Sequence, residues 1–205
     1  MRMGLTGGIG SGKSTLARML GQAGAVIVDA DLISRGMTLA GGLAMPAIEK
    51  EFGSAFVAPD GAMARGLMRQ LVFDEPAARL RLQAIIHPLV GQETECQAGQ
   101  AFAAGARCVV FDIPLLVESK HWRAQLDQVL VVDCREETQI ARVLARETAL
   151  GNSAGWDRAM VEKVMTGQSS RAARLAAADA SIYNDDLSLQ DLAMLVSQIL
   201  PRLGL

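Results

Sequence analysis

One glycine run carries the clearest chemistry in the chain: Gly7-Gly8-Ile9-Gly10-Ser11-Gly12-Lys13-Ser14, followed by Thr15. The spacing fits G-x-x-x-x-G-K-[ST], a loop whose curled backbone turns successive N–H groups onto phosphate oxygens. A helix starting near Lys13 adds the positive end of its dipole. Lys13 can reach the β- and γ-phosphates of a nucleoside triphosphate, and the Ser14 hydroxyl can ligate Mg2+. Gly8, Gly10, Ser11, Gly12, Lys13, Ser14 and Thr15 form the candidate nucleotide-binding set. The alternative is a glycine-rich turn with no ligand. An apolar strand before the loop and an amphipathic helix after it weigh against that.

The loop does not say what receives the phosphate. Val109-Val110-Phe111-Asp112 reads as a strand ending in a carboxylate, where such folds hold or orient magnesium. Asp112 could instead cap the turn before Pro114. Asp29-Ala30-Asp31 ends another apolar run, and ligands of open parallel sheets sit at the carboxyl ends of strands. A kinase acting on an alcohol needs a carboxylate to orient the hydroxyl and take its proton, and Asp31 is the candidate. Otherwise Asp31 is the N-cap of the helix from Leu32. Arg142 and Arg146 share one helix face by their i,i+4 spacing. They are either a solvated face or the cations that phosphoryl transfer needs between two anions. His87-Pro88 tempts one to propose a general base, but a helix-start turn with a satisfied imidazole is the commoner reading. Trp122 and Trp156 could stack on a base. No Asn-Lys-x-Asp guanine-reading signature occurs.

Five strand-length apolar runs position these residues: Met3–Thr6, Ala25–Asp29, Val109–Ile113, Val129–Asp133 and Ser181–Tyr183. The third and fourth are continuous rather than alternating, as in strands covered on both faces of a parallel sheet. Helical text follows at Lys13–Ala23, Glu137–Leu150 and Leu187–Leu203, the last with Ser188 as N-cap and Pro201 at its frayed end. Strands alternating with helices mean an α/β fold. The second and third strands lie about eighty residues apart, far beyond an ordinary crossover, so an inserted helical lobe is expected. Pro46, Pro59, Pro76 and Pro88 should divide it into short helices. Gly151–Gly155 reads as a flexible joint in a lid.

Composition bounds the rest. Net charge of −2 argues against bulk nucleic-acid binding. No apolar run approaches the roughly 18 residues of a membrane span, and no leader is expected. Cys96, Cys108 and Cys134 have no close pair, which suggests neither a disulfide framework nor a zinc site. A cytoplasmic protein is expected.

Leu5 to Thr15 with Asp29-Ala30-Asp31 resembles the dephospho-CoA kinases. His87-Pro88-Leu89, Asp112-Ile113-Pro114-Leu115-Leu116-Val117-Glu118, and Ala178-Asp179 with Ile182 and Asn184 extend the resemblance to about residue 185. The resemblance implies a P-loop three-layer α/β fold with a central parallel sheet of about five strands, similar to the nucleoside monophosphate kinases. It implies one kinase domain over 1–205, with a helical substrate-binding lobe at about 32–105 and a lid at about 137–175. It further implies transfer of the ATP γ-phosphate to the ribose 3′-hydroxyl of dephospho-CoA, with Mg2+ as cofactor and no nucleic-acid or membrane partner. Gly10–Thr15 would bind ATP, Asp31 would be the catalytic base, Arg142 the lid arginine and His87 a substrate-side residue. The stretch Thr148–Asp157 is longer than the family pattern suggests, and Ala172-Ala173 stand where glutamates are frequent.

Overall fold

The inner strands are apolar on both faces and buried on both sides of the sheet, whereas the edge strands are partly exposed. The structure is a computed structural model describing residues 1–119, 122–151 and 155–205. Its five strands are β1 (Arg2–Gly7), β2 (Val26–Asp29), β3 (Val109–Asp112), β4 (Gln128–Asp133) and β5 (Ala180–Tyr183), in the order β2-β3-β1-β4-β5. β1 lies parallel to β3 and β4, and β4 parallel to β5. The expected five-stranded parallel sheet is thus observed, with the loop-bearing strand at its centre.

Alternate residues of β1 explain the layering. Met3 and Leu5 face one way, with Val110, Leu130, Val132 and Ile182, onto Leu16 and Leu20 of α1 (Lys13–Gln22). Leu192 and Val196 of α9 (Leu189–Ile199) complete this core. Gly4 faces the other way, and a methyl carbon placed on it would meet Leu116 and Leu126 at 2.6 and 2.5 Å. Truncating a core leucine such as Leu16 or Leu20 to alanine should cost about 2–5 kcal/mol. Ser188 caps α9 in a reciprocal capping box with Asp191, and the last turn tightens to a 3-10 helix over Leu200–Leu203 around Pro201.

Between β4 and β5 run α6 (Glu136–Ala149), α7 (Arg158–Thr166) and α8 (Arg171–Ala176). Ile140, Val143 and Val161 form a small core joined by Trp156, Met165 and Ile9. Ile9 belongs to the glycine loop, so the loop's one bulky apolar side chain is anchored on α6 and α7. Of the expected joint Gly151–Gly155, residues 152–154 lie outside the described residues.

The chain divides into two compact units, Met1–Val28 with Ala101–Leu205, and Asp29–Gln100. The second is helical: α2 (Ala30–Met37), α3 (Met45–Phe52), α4 (Arg65–Asp74) and α5 (Pro76–Ala103), with a 3-10 turn at Ser54–Phe56. Phe52 packs edge-on against Phe56 at 5.9 Å, and Arg81 lies 5.5 Å over Phe52 while pairing with Glu51 at 2.8 Å. Arg65 bonds the Thr38 hydroxyl at 3.0 Å and so ties α4 to the end of α2. Pro46 and Pro76 sit at helix starts, where a missing N–H costs nothing. Pro88 departs from expectation: α5 continues through it for 28 residues in all. Twelve helical residues precede Pro88 and fifteen follow, so propagation on both sides outweighs one lost bond. The helix-start reading of His87-Pro88 is therefore overturned; His87 lies in mid-helix.

Candidate active site

The glycine loop leaves β1 and re-enters regular structure at α1. Gly12 stands at the N-cap with φ 97°, a left-handed conformation that glycine adopts without strain. A methyl carbon on Gly12 would also lie 2.3 Å from Asn184 Nδ2. Gly10 is tighter still against backbone: φ is 74° and the corresponding contact is 2.5 Å to the Gln139 carbonyl oxygen. No acidic residue occupies the first turn of α1. The dipole at that helix start is left for an anion rather than neutralised by a carboxylate of the same turn, although the Thr15 N–H already donates to the Gly12 carbonyl at 3.0 Å.

Lys13 opens α1, and its Nζ donates to the Asp112 carboxylate at the end of β3. Loop lysine and strand-end carboxylate thus meet, and Asp112 carries an ion pair rather than only capping a turn. Ser14 follows in the first turn, exposed. A hydroxyl and a carboxylate are hard oxygen donors that suit Mg2+, which is usually held by one or two carboxylates plus substrate phosphates. Among the described residues no three His, Cys, Asp or Glu side chains gather into a metal cage, and Mg2+ requires none.

Three carboxamides hold the loop from outside. Gln168, just past α7, accepts the Ile9 N–H at 3.0 Å. Asn184, just past β5, donates to the Ser11 carbonyl at 2.8 Å. Gln139 of α6 is 1% exposed and packs against Gly8 and Gly10. Its Oε1 and the Ser11 hydroxyl have no partner among the described residues. Amides are suited to this task, because carboxylates in their place would repel phosphate.

Arg142 points at the same loop: its Nη1 donates to the Asn184 carbonyl at 2.9 Å and, more distantly, to that of Ser11 at 3.4 Å. Arg146, one turn on, instead pairs at 2.7 Å with its neighbour Glu147, whose side chain is nearly buried. The two arginines share a helix but differ in their partners here. Asp185 anchors the start of α6 to the end of β5: it accepts from the Thr138 hydroxyl, from Arg135 Nε and from the Tyr183 hydroxyl. The Thr138 bond above all, then those from Tyr183 and Arg135, hold its carboxyl below the usual range against the opposing effect of desolvation. Arg171 grips Asp133 bidentately, and that bond raises the guanidinium pKa. Burial pushes the thiols of Cys108 and Cys134 up, so neither is a ready nucleophile.

In the second unit, Asp29 caps α2 by accepting the Leu32 N–H at 2.9 Å. The cap reading of Asp31 is thereby overturned. Asp31 is exposed in the first turn, two residues past the end of β2. Trp122 tilts against Phe111 at 6.1 Å, and Trp156 belongs to the small core of α6 and α7. Asp179 is structural: it accepts the Val129 N–H at 2.7 Å and pairs with Arg123 at 3.1 Å, fixing β5 to β4.

Sequence reasoning missed Gln139, Gln168 and Arg174 as loop neighbours, and Asn184 entered it only through the family resemblance. Gln139 had one usable signal, a polar residue next to Ile140 and Val143 on the buried face of α6, a face that also carries Glu147.

Comparison with known proteins points to one family. Residues 1–190 match the profile of the family described as CoaE, dephospho-CoA kinase. The dephospho-CoA kinase of Burkholderia thailandensis is 53% identical over 200 residues, spanning 98% of this chain and 94% of that one. A crystal structure of the Thermus thermophilus protein TT1252 superposes with a TM-score of 0.78 at 29% identity, covering 98% of this chain and 97% of that one. Dephospho-CoA kinase from Campylobacter jejuni shares the fold at a TM-score of 0.67 and 18% identity, covering 98% and 96% of the two chains.

Proposed function

The chain belongs to the dephospho-CoA kinase family, and from that premise we infer that it transfers the γ-phosphate of ATP to the ribose 3′-hydroxyl of dephospho-CoA, giving coenzyme A and ADP. The observation that carries the reading is the meeting of Lys13 with Asp112 at the mouth of a complete phosphate loop. The inward N–H groups and the start of α1 hold the polyphosphate. Lys13 exchanges its carboxylate partner for phosphate oxygens. Ser14 and Asp112 are the residues that would hold Mg2+, which would supply positive charge to offset the negative charge of the transferring phosphoryl group.

Asp31 is proposed to orient the acceptor hydroxyl and take its proton. Its freedom from capping duty supports this, as does its place at a strand's carboxyl end. Arg142 is proposed to turn from backbone carbonyls to phosphate, with Arg146 as a second lid cation. We assign the acceptor to a lobe at about 32–105, with His87 on the substrate side, and the lid to about 137–175, all within one kinase domain. Among the described residues no helix is long and apolar enough to cross a membrane. The cytoplasm is the proposed location, and no nucleic-acid partner is proposed.

The purified protein should convert dephospho-CoA to coenzyme A in the presence of ATP and Mg2+, read by mass spectrometry against a panel of nucleosides and nucleotides. Transfer to a panel member in preference, or ATP hydrolysis without an acceptor, would overturn the assignment. Asp31→Asn should lower kcat by about 10²–10⁴ with ATP affinity little changed. Retention of more than about a third of the activity would show that Asp31 is not the general base, whose loss must cost more.

A further inference from the structure

We propose that Arg174 is a phosphate-binding residue of the ATP site, taking up triphosphate charge beside Gly8. The proposal rests on the reading of the glycine loop as that site. Arg174 is only 8% exposed. Its Nη1 donates to the Ser169 carbonyl, and among the described residues its guanidinium pairs with no carboxylate. Its neighbours differ: Arg171 is held by Asp133, and Arg158 by Glu137 and Glu162. A buried cation without a counter-ion is costly to fold, and the cost is recovered only if an anion arrives.

The position says which anion. A methyl carbon on Gly8 would lie 3.0 Å from Arg174 Nη2, and 2.9 and 3.0 Å from Gln139 Oε1 and Nε2. An uncompensated guanidinium and an orphaned, buried carboxamide oxygen therefore converge above one residue of the phosphate loop. Both also line a cleft of about 430 Å³ between α6, α7 and α8; its carboxylates Glu137 and Glu162 are paired with Arg158, and Glu136 is the third. A guanidinium fork at its edge matches a phosphate group's oxygens. The absence of a side chain at Gly8 is what lets Arg174 and Gln139 approach the loop this closely.

A phosphate contact and a packing role predict opposite results. Arg174→Met removes the charge but keeps most of the apolar stem. The melting temperature of the ligand-free protein should be unchanged or raised. The Kd for ATP, measured by calorimetry, should rise at least tenfold. Arg174→Gln keeps a donor for the Ser169 carbonyl and should weaken ATP similarly; it carries the test if the methionine variant does not fold. Arg174→Lys, with charge but no fork, should fall between. An ATP Kd within twofold of wild type in a folded neutral variant would overturn the proposal. So would a lowered ligand-free melting temperature with ATP affinity preserved. Failure of the wild-type protein to bind ATP would instead overturn the reading of the loop, and this proposal with it.

Discussion

At Gly10 the loop is braced by another element's backbone, and that decides what the position tolerates. A side chain there would meet the Gln139 carbonyl, which belongs to α6 and cannot rotate away. Gly10→Ala is expected to distort the loop and lower kcat/KM for ATP by at least about 10²-fold, of the order lost when one preorganised donor is removed. A value within a factor of three of wild type would mean that the loop is not held from outside. Lys13→Ala should abolish transfer in a folded protein, since a side chain leaving a glycine loop contributes charge rather than packing; near-normal turnover in such a variant would contradict the site. The placement of Lys13 and Ser14 at the start of α1 and of Asp112 at the end of β3 was legible because a short motif and a strand end encode it locally. Gln139, Gln168 and Arg174 were not, because each reaches the loop from an element more than a hundred residues away, and nothing in its own neighbourhood of sequence marks the destination.

Elements were read best where periodicity and punctuation agreed. Continuous apolar runs gave β3 and β4, and Ser188 gave the start of α9. The misreading of α5 came from treating Pro88 as a stop, when flanking helix on both sides carries the chain through. At the junction of β5 and α6, Asp185 joins Thr138, Arg135 and Tyr183, and its pKa is depressed in the fold. A depressed carboxylate contributes stability above its unfolded pKa of about 3.9 and loses it as pH falls through the folded value. The stability difference between wild type and Asp185→Asn should therefore be constant from pH 7 to 5 and shrink below about pH 4. Urea unfolding at several pH values checks this; a difference that grows on acidification would mean that the carboxylate is not what holds the junction.

Across the whole molecule, the pattern of strands and helices was legible down to the inserted helical unit. The sequence carried no account of how the loop is braced, which depends on tertiary contacts between α6, α8 and the residues after β5. If the region after β4 is a lid, peptides from 142–151 and 155–166 should gain hydrogen-exchange protection when ATP and dephospho-CoA bind together. Equal exchange with and without both ligands would argue against a lid. The bond from Asn184 to the Ser11 carbonyl has a consequence of another kind. Its partners are 173 residues apart in the chain, so the loop is translated long before the amide that steadies it. At roughly 5–20 residues per second, the nascent chain carries the glycine run for roughly 10–35 s before Asn184 is even made. Throughout that interval the loop lacks one of its braces, and competence to hold the nucleotide should come as one of the last events of biogenesis. Synthesis cut short before β5 should therefore yield a sheet that carries the motif without a loop able to grip its ligand.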